Sequence, residues 1–146
     1  SYCRGRGYCL GSQHLEGVVM VYKLGLKSKL RLRGVHPDLV RVVSRAIELT
    51  PVDFTVLEGL RSTIRQVELF KSGASKTMKS RHLTGHAVDL GALVNGSVRW
   101  DWPLYHKLAE AMKVASLELL IPIEWGGDWD TFKDGPHFQL PWKEYP

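Results

Sequence analysis

Histidine is the residue type in this chain with the most direct capacity for chemistry near neutral pH, and the chain contains six. His14 and His36 lie in or near a basic segment, and His106 lies in a helical pattern where a surface position is the simpler interpretation. The remaining three are His82, His86 and His137. Because the acidic residues concentrate toward the C-terminus, an imidazole there can meet a carboxylate, and the two can then bind a metal ion.

Alternation in two predicted strands places Asp89 and His137 on the same side of a sheet. Both neighbours of Asp89 are apolar and face the core, so Asp89 faces away from it, and His137 does the same beside Phe138. His82 precedes Asp89 by seven residues, which leaves enough chain for His82 to fold back on the same cleft. Two imidazoles and one carboxylate leave a fourth position open, as in a catalytic zinc site. Three unrelated polar surface residues remain the alternative interpretation.

Hydrophobic spacing and turn residues predict the elements that must carry these side chains. Helical periodicity covers 37–49, 63–70 and 101–120. Strand patterns cover 54–57, 123–125 and 137–140, and Asn95-Gly96 is the turn of a hairpin over 87–100. A capping-box pattern, Thr63 with Gln66, indicates where the second helix begins. This order predicts an α+β fold, with a small antiparallel sheet packed with about three helices.

Composition and charge limit the possible partners. The chain has 146 residues, of which 44% are apolar, and no apolar run approaches the ~18 residues of a membrane-spanning helix. The first 99 residues hold 16 basic and 7 acidic side chains, whereas the rest hold 4 and 8. A basic front half favours an anionic partner such as a cell wall, although solubility alone explains it equally well. Nucleic acid ranks second, because Tyr22 is the only aromatic residue in the basic segment 20–35.

Four short elements of the sequence together carry a recognisable pattern. Residues 80–89 (Ser-Arg-His-Leu-Thr-Gly-His-Ala-Val-Asp) resemble the motif Ser-x-His-x-x-Gly-x-Ala-x-Asp of the M15 family of zinc peptidases, which cut peptidoglycan stem peptides. Residues 134–137 (Asp-Gly-Pro-His), 124–129 (Glu-Trp-Gly-Gly-Asp-Trp) and 59–62 (Gly-Leu-Arg-Ser) resemble three further signatures. The resemblance covers about 35–140 and is nearest to the compact phage endolysins that are L-alanyl-D-glutamate endopeptidases. It implies a fold like that of the D,D-peptidases and hedgehog proteins.

The resemblance also implies a role for individual residues. It assigns one Zn²⁺ to His82, Asp89 and His137, and it makes Asp134 the general base. Arg61 resembles the residue that holds a substrate carboxylate or steadies the carbonyl oxygen, with a structural ion pair as its alternative. Ser80 is expected to order its loop or to contact substrate, and Trp129 is expected to line the cleft and contact substrate. The motif is variable at His86, which we interpret as a cleft-edge or surface residue.

We therefore expect a zinc-dependent peptidoglycan hydrolase that cleaves the L-Ala–D-Glu bond for host lysis. A D-Ala–D-Ala carboxypeptidase of the same fold is the alternative. A non-haem iron oxygenase and a non-catalytic module that binds wall or nucleic acid are less favoured. The expected partner is peptidoglycan, without nucleic acid or stable membrane insertion, and we expect a monomer. We expect it to stay in the host cytoplasm, without a signal peptide, until it is released to the wall.

The first residues differ in composition from the rest of the chain. Residues 1–19 are rich in glycine and arginine, contain Cys3 and Cys9, and precede Met20. We interpret 1–19 as a non-native or disordered arm, and 20–146 as a single peptidase domain.

Overall fold

Four α-helices, two 3₁₀ helices and five strands form the part of the chain that the computed structural model describes, residues 20–146. The predicted arm, with both cysteines, lies outside the described residues. The α-helices are α1 (Leu26–Arg31), α2 (Pro37–Leu49), α3 (Thr63–Lys71) and α4 (Trp102–Leu119). The strands are β1 (Phe54–Glu58), β2 (Ala87–Val94), β3 (Ser97–Arg99), β4 (Glu124–Trp125) and β5 (His137–Gln139). The 3₁₀ helices are Arg81–Thr84 and Gly126–Asp128.

All strand pairs of the single sheet in this region are antiparallel. The strand order is β1-β2-β5-β4, and β3 pairs with the far end of β2. The register between β2 and β5 places Asp89 directly opposite His137, and Val88 opposite Phe138. Because successive side chains alternate between the faces of a sheet, this register gives one polar face and one apolar face at the same point.

Helices α2 and α4 cover the apolar face of the sheet. Each helix buries one apolar face, whose residues recur every three or four positions. These residues are Leu39, Val42, Val43 and Ala46 in α2, and Leu108, Ala111, Met112 and Ala115 in α4. Val88, Leu90 and Phe138 of the sheet are fully buried beneath them. Trp125 stacks on Phe138 with ring centroids 6.3 Å apart, and both side chains are buried in the core. The opposite face is left to the polar residues.

Local signals in the sequence account for most element boundaries. His36 accepts a hydrogen bond from the Asp38 backbone at the start of α2. Asn95 and Gly96 have φ angles of 53° and 81°, the left-handed values that a two-residue hairpin turn requires. The expected α+β class with an antiparallel sheet is therefore confirmed. Within residues 20–146, no helix is both long and apolar enough to cross a membrane.

Two local predictions were wrong. Four helices are present rather than about three, because α1 forms within the basic segment 20–35. Ser28 of α1 is buried, and its hydroxyl lies 3.1 Å from the Thr55 hydroxyl and accepts from the Val56 backbone N–H at 2.9 Å. These contacts with β1 stabilise a helix that the spacing of apolar residues did not predict. The cap of α3 is Ser62 and not Thr63, since the Ser62 hydroxyl accepts from the Arg65 backbone.

Candidate active site

Three elements bring His82, Asp89 and His137 together on the polar face of the sheet. His82 lies in the first 3₁₀ helix, Asp89 in β2 and His137 in β5. Asp89 Oδ1 lies 3.3 Å from His82 Nε2 and 3.4 Å from His137 Nδ1. One donor atom from each residue falls within 4.8 Å of the others, so the group could hold a metal ion. The juxtaposition expected from the sequence is therefore present.

Hydrogen bonds to the outer ring nitrogens orient both imidazoles. His82 Nδ1 lies 2.8 Å from the Gly59 carbonyl oxygen, which can only accept, so Nδ1 is the donor there and Nε2 is the nitrogen that faces Asp89. His137 Nε2 lies 2.8 Å from Gln139 Oε1, so Nδ1 is the nitrogen of this ring that faces Asp89. Glu124 accepts from Gln139 Nε2 at 3.2 Å and holds the amide in place. Such outer partners orient the histidines of metal sites.

Sequence reasoning missed these supporting residues. Gln139 is buried on the polar face of β5, where the strand alternation that selected His137 also places it, but its role as the partner of His137 had no signal in the sequence. The Gly59 carbonyl oxygen carries no side-chain signal. Its only clue was the resemblance around Gly59 itself. An added Cβ there would overlap the Arg31 backbone, so glycine is needed for the close approach of β1 and α1.

The charge of Asp89 is stabilised within this group. Burial alone would raise the pKa of Asp89, but hydrogen bonds from His137 and His82 hold that pKa well below its usual range. Burial alone would lower the pKa of His137, but the hydrogen bond to Asp89 prevails and raises it. A negatively charged Asp89 with an imidazole nitrogen on either side is an arrangement that favours the binding of a cation.

Asp134 stands in the same cleft, after the second 3₁₀ helix. Its backbone N–H donates to the Gly126 carbonyl at 3.0 Å, and its carbonyl accepts from the His137 N–H at 3.3 Å. These two bonds fix the turn 134–137, so that the carboxylate faces the group on the strands. Partial burial of the carboxylate raises the pKa of Asp134, and the negative charge of Asp89 raises it further. A carboxylate with a raised pKa is suited to accept a proton.

Arg61 forms an ion pair with Glu58, which is the structural role that the sequence analysis gave as its alternative. Its Nε donates to Glu58 at 3.0 Å, its terminal nitrogen bonds the other Glu58 oxygen, and its second terminal nitrogen donates to Gln66 at 2.8 Å. Arg61 is 9% exposed and lies 3.9 Å from Asp89 Oδ2. Of its five N–H groups, three donate in these bonds, so two have no hydrogen-bond partner among residues 20–146, and Arg61 lines the cleft.

Ser80 and Trp129 border the cleft in different ways. The Ser80 hydroxyl accepts from the His82 backbone at 3.2 Å and so caps the 3₁₀ helix that carries this histidine. The Trp129 ring lies 5.2 Å from the His137 ring. His86 lies instead beside His36 and Tyr145, with ring centroids 5.4 and 6.5 Å away, and it does not line the cleft. Of the two positions expected for His86, the cleft edge and the surface, the structure excludes the cleft edge, because Gly85 turns the chain between His86 and His82.

The cleft around these residues has a volume of about 920 Å³. One wall consists of α3 and the loop 72–80, and the other is the segment 129–134. His82, Asp89 and His137 also line the cleft, and we call the surface that they form on the sheet its floor. A cleft of this size accommodates several residues of a peptide and exposes them to the group on the floor.

Comparison with known proteins assigns this arrangement to a family. The family described as phage L-alanyl-D-glutamate peptidase matches residues 20–140, which include every site residue above. The chain belongs to this peptidase family.

Relatives of the chain agree with that assignment. The L-alanyl-D-glutamate peptidase of Escherichia phage T5 is 34% identical over 119 residues, which cover 79% of this chain and 87% of that protein. The peptidoglycan L-alanyl-D-glutamate endopeptidase CwlK of Bacillus subtilis is 31% identical over 102 residues, 61% of each protein. The crystal structure of the L-Ala D-Glu endopeptidase ChiX of Serratia marcescens matches with a TM-score of 0.80 and 49% identity. The match covers 90% of this chain and 96% of ChiX.

Membership of the phage L-alanyl-D-glutamate peptidase family confirms the family resemblance that the sequence motifs predicted. The match to the ChiX structure confirms the predicted fold class. The four elements that carried the resemblance all lie within the matched region. In three dimensions each of the four elements contributes residues to the lining of one cleft.

Proposed function

We propose that this chain is a zinc-dependent peptidoglycan hydrolase that cleaves the L-Ala–D-Glu bond of the stem peptide. The observation that carries the proposal is one cleft holding a His82–Asp89–His137 donor group with Asp134 beside it. The names of the relatives support the bond. They do not favour the D-Ala–D-Ala carboxypeptidase alternative.

The donor set favours zinc as the metal. Two neutral imidazoles and one carboxylate with a position to spare are typical ligands of catalytic zinc, which binds such donors at about 2.0–2.2 Å. Around one four-coordinate ion, neighbouring donors at that distance stand about 3.4 Å apart. The separations of Asp89 Oδ1 from the two ring nitrogens, 3.3 and 3.4 Å, agree with this value. When bound, zinc polarises the scissile carbonyl and makes water more acidic.

The side chains of the cleft supply the remaining steps. Asp134 takes a proton from the attacking water, and it passes that proton to the leaving amine of D-glutamate as the C–N bond breaks. Arg61 uses its two spare N–H groups to steady the carbonyl oxygen as negative charge develops there. Trp129 packs against the substrate beside His137, and Ser80 holds the helix that carries His82.

The relatives support a place of action for the enzyme, and the candidate metal group supports an oligomeric state. The phage relatives support a role in host lysis, in which the enzyme stays in the host cytoplasm until a membrane-permeabilising partner gives it access to peptidoglycan. Every donor of the candidate metal group comes from one chain, which supports action as a monomer.

Digestion of purified peptidoglycan followed by mass analysis tests the bond and the metal together. We expect new N-terminal glutamate, and no fragments after treatment with a chelator, with activity restored by Zn²⁺. Asp134→Asn removes the base while leaving the donor group intact, so it should retain zinc and lose about 10²–10⁴-fold in hydrolysis. Asp130→Asn, an exposed acid in the same segment, is the matched control and should hydrolyse normally. Release of free D-alanine instead would support the carboxypeptidase.

A further inference from the structure

One wall of the cleft carries three basic residues that the proposed mechanism does not use. Arg65 lies in the first turn of α3, and Lys76 and Lys79 lie in the loop 72–80 that follows. All three are exposed, and all three line the cleft. They therefore present positive charge to whatever occupies it.

These three residues have no acidic partner among residues 20–146. No carboxylate there lies within 4.0 Å of their side-chain nitrogens. Lys76 contacts an aromatic ring instead, with Nζ 5.6 Å from the centroid of Phe132 on the opposite wall. By contrast, Lys133 donates to the Trp129 carbonyl at 2.8 Å. The basic wall, defined as Arg65, Lys76 and Lys79, is thus uncompensated.

The acidic residues that line the cleft, Glu58, Asp89, Glu124 and Asp134, all lie outside α3 and the loop 72–80. Glu58 is paired with Arg61, Asp89 with the two histidines, and Glu124 accepts from Gln139. The cleft is therefore divided by charge, with carboxylates near the floor and an unpaired basic wall beside it. Such a division orients a ligand that carries its own negative charge.

The proposed substrate has that charge close to the bond that is cut. A glutamate within a peptide chain uses one carboxyl group to continue the chain and keeps the other free. Arg61 is already bound by Glu58 through two oxygens and by Gln66, so it is poorly placed to take a carboxylate as well. We propose that the basic wall is a carboxylate-binding subsite, which selects stem peptides with a free carboxylate on the D-glutamate side of the scissile bond over their carboxamides. This inference rests on the proposed function.

A matched pair of soluble peptides tests the subsite. The two peptides contain the same L-Ala–D-Glu bond and differ only in the free carboxyl group of the glutamate, which is a carboxylate in one and a carboxamide in the other. We expect the wild type to prefer the carboxylate by about tenfold in kcat/KM, mainly through KM, since three exposed charge interactions contribute. The variant Arg65→Ala/Lys76→Ala/Lys79→Ala should lose this preference while it retains hydrolysis of the carboxamide.

A second triple variant controls for net charge. Lys23→Ala/Lys27→Ala/Lys29→Ala removes the same three charges from exposed positions outside the cleft, and it should keep the preference. In the wild type, the preference should also shrink as salt rises from about 50 to about 500 mM, which requires no variant.

Three results would overturn the inference, and they are distinguishable from one another. Equal hydrolysis of both peptides by the wild type removes the selectivity itself. A preference that survives in the basic-wall variant assigns it to other residues. Hydrolysis of neither peptide by the wild type, when its fold and metal are intact, refutes the proposed function, and the subsite falls with it.

Discussion

Asp134 differs from the other carboxylates of the cleft in having no side-chain hydrogen-bond donor among residues 20–146. Partial burial and the charge of Asp89 raise its pKa above the ordinary value of about 3.9. A base acts only when deprotonated, so activity should fall as pH drops through this raised pKa, at a higher pH than an ordinary aspartate would give. The pH dependence of kcat/KM measures this acid limb. The residual activity of Asp134→Asn should lack it, and an identical limb in that variant would assign it to another group.

Gln139 acts on the candidate metal group through His137 and does not itself offer a donor to the ion. Gln139→Leu keeps the volume of the side chain but removes the acceptor that orients the ring. We expect zinc affinity to fall about 10–100-fold, as for other outer partners of metal-bound histidines. Competition with a chromophoric chelator measures the Kd. His106→Leu, which alters an exposed histidine elsewhere, should bind zinc as the wild type does, and an unchanged Kd in Gln139→Leu would refute the positioning role.

At the scale of elements, the first 3₁₀ helix depends on the glycine that ends it. Gly85 has a φ of 75°, and a Cβ there would overlap the carbonyl oxygen of Gly34. We expect Gly85→Ala to lower the free energy of unfolding by more than about 2 kcal/mol, because strain and overlap add. Gly96→Ala is the matched control, since Gly96 has a φ of 81° but open space around it, and it should cost about 1 kcal/mol. Urea unfolding of both variants measures the difference, and equal costs would contradict the overlap.

At the scale of the whole molecule, Arg81 joins the site to the C-terminal tail. Its buried guanidinium donates to the carbonyls of Leu140 at 3.0 Å and Tyr145 at 2.5 Å, and it stacks 4.1 Å from the centre of the Trp142 ring. Tyr145 in turn donates to Asp38 at 2.7 Å and ties the tail to α2. The chain next to His82 is thus held by residues about 60 positions away.

Loss of this connection should destabilise the fold. Arg81→Leu leaves buried carbonyls unpaired, and we expect the free energy of unfolding to fall by about 3 kcal/mol. Tyr145→Phe removes only one partly exposed hydrogen bond and should cost about 1 kcal/mol. Thermal and urea unfolding measure both values. If Arg81→Leu were no more destabilising than Tyr145→Phe, the guanidinium would not hold the tail.

Features that depend on neighbours along the chain could be predicted without the structure. Apolar periodicity specified α2 and α4, Asn95-Gly96 specified the hairpin turn, and strand alternation placed Asp89 and His137 on one face. These signals are local, because a side chain's face in a helix or strand follows from its position in the repeat. The same signals pointed to the donor group, whose role as a zinc site stays a prediction.

Contacts between distant segments could be identified only in the folded protein. The Gly59 carbonyl meets His82 across 23 residues, Arg61 turns to Glu58 rather than wholly into the cleft, and α1 forms where Ser28 meets β1. The basic wall likewise became visible only when α3 and its loop lay beside the floor of the cleft. Periodicity carries no information about such pairings, because they depend on how layers pack and on which polar groups burial forces to find a partner.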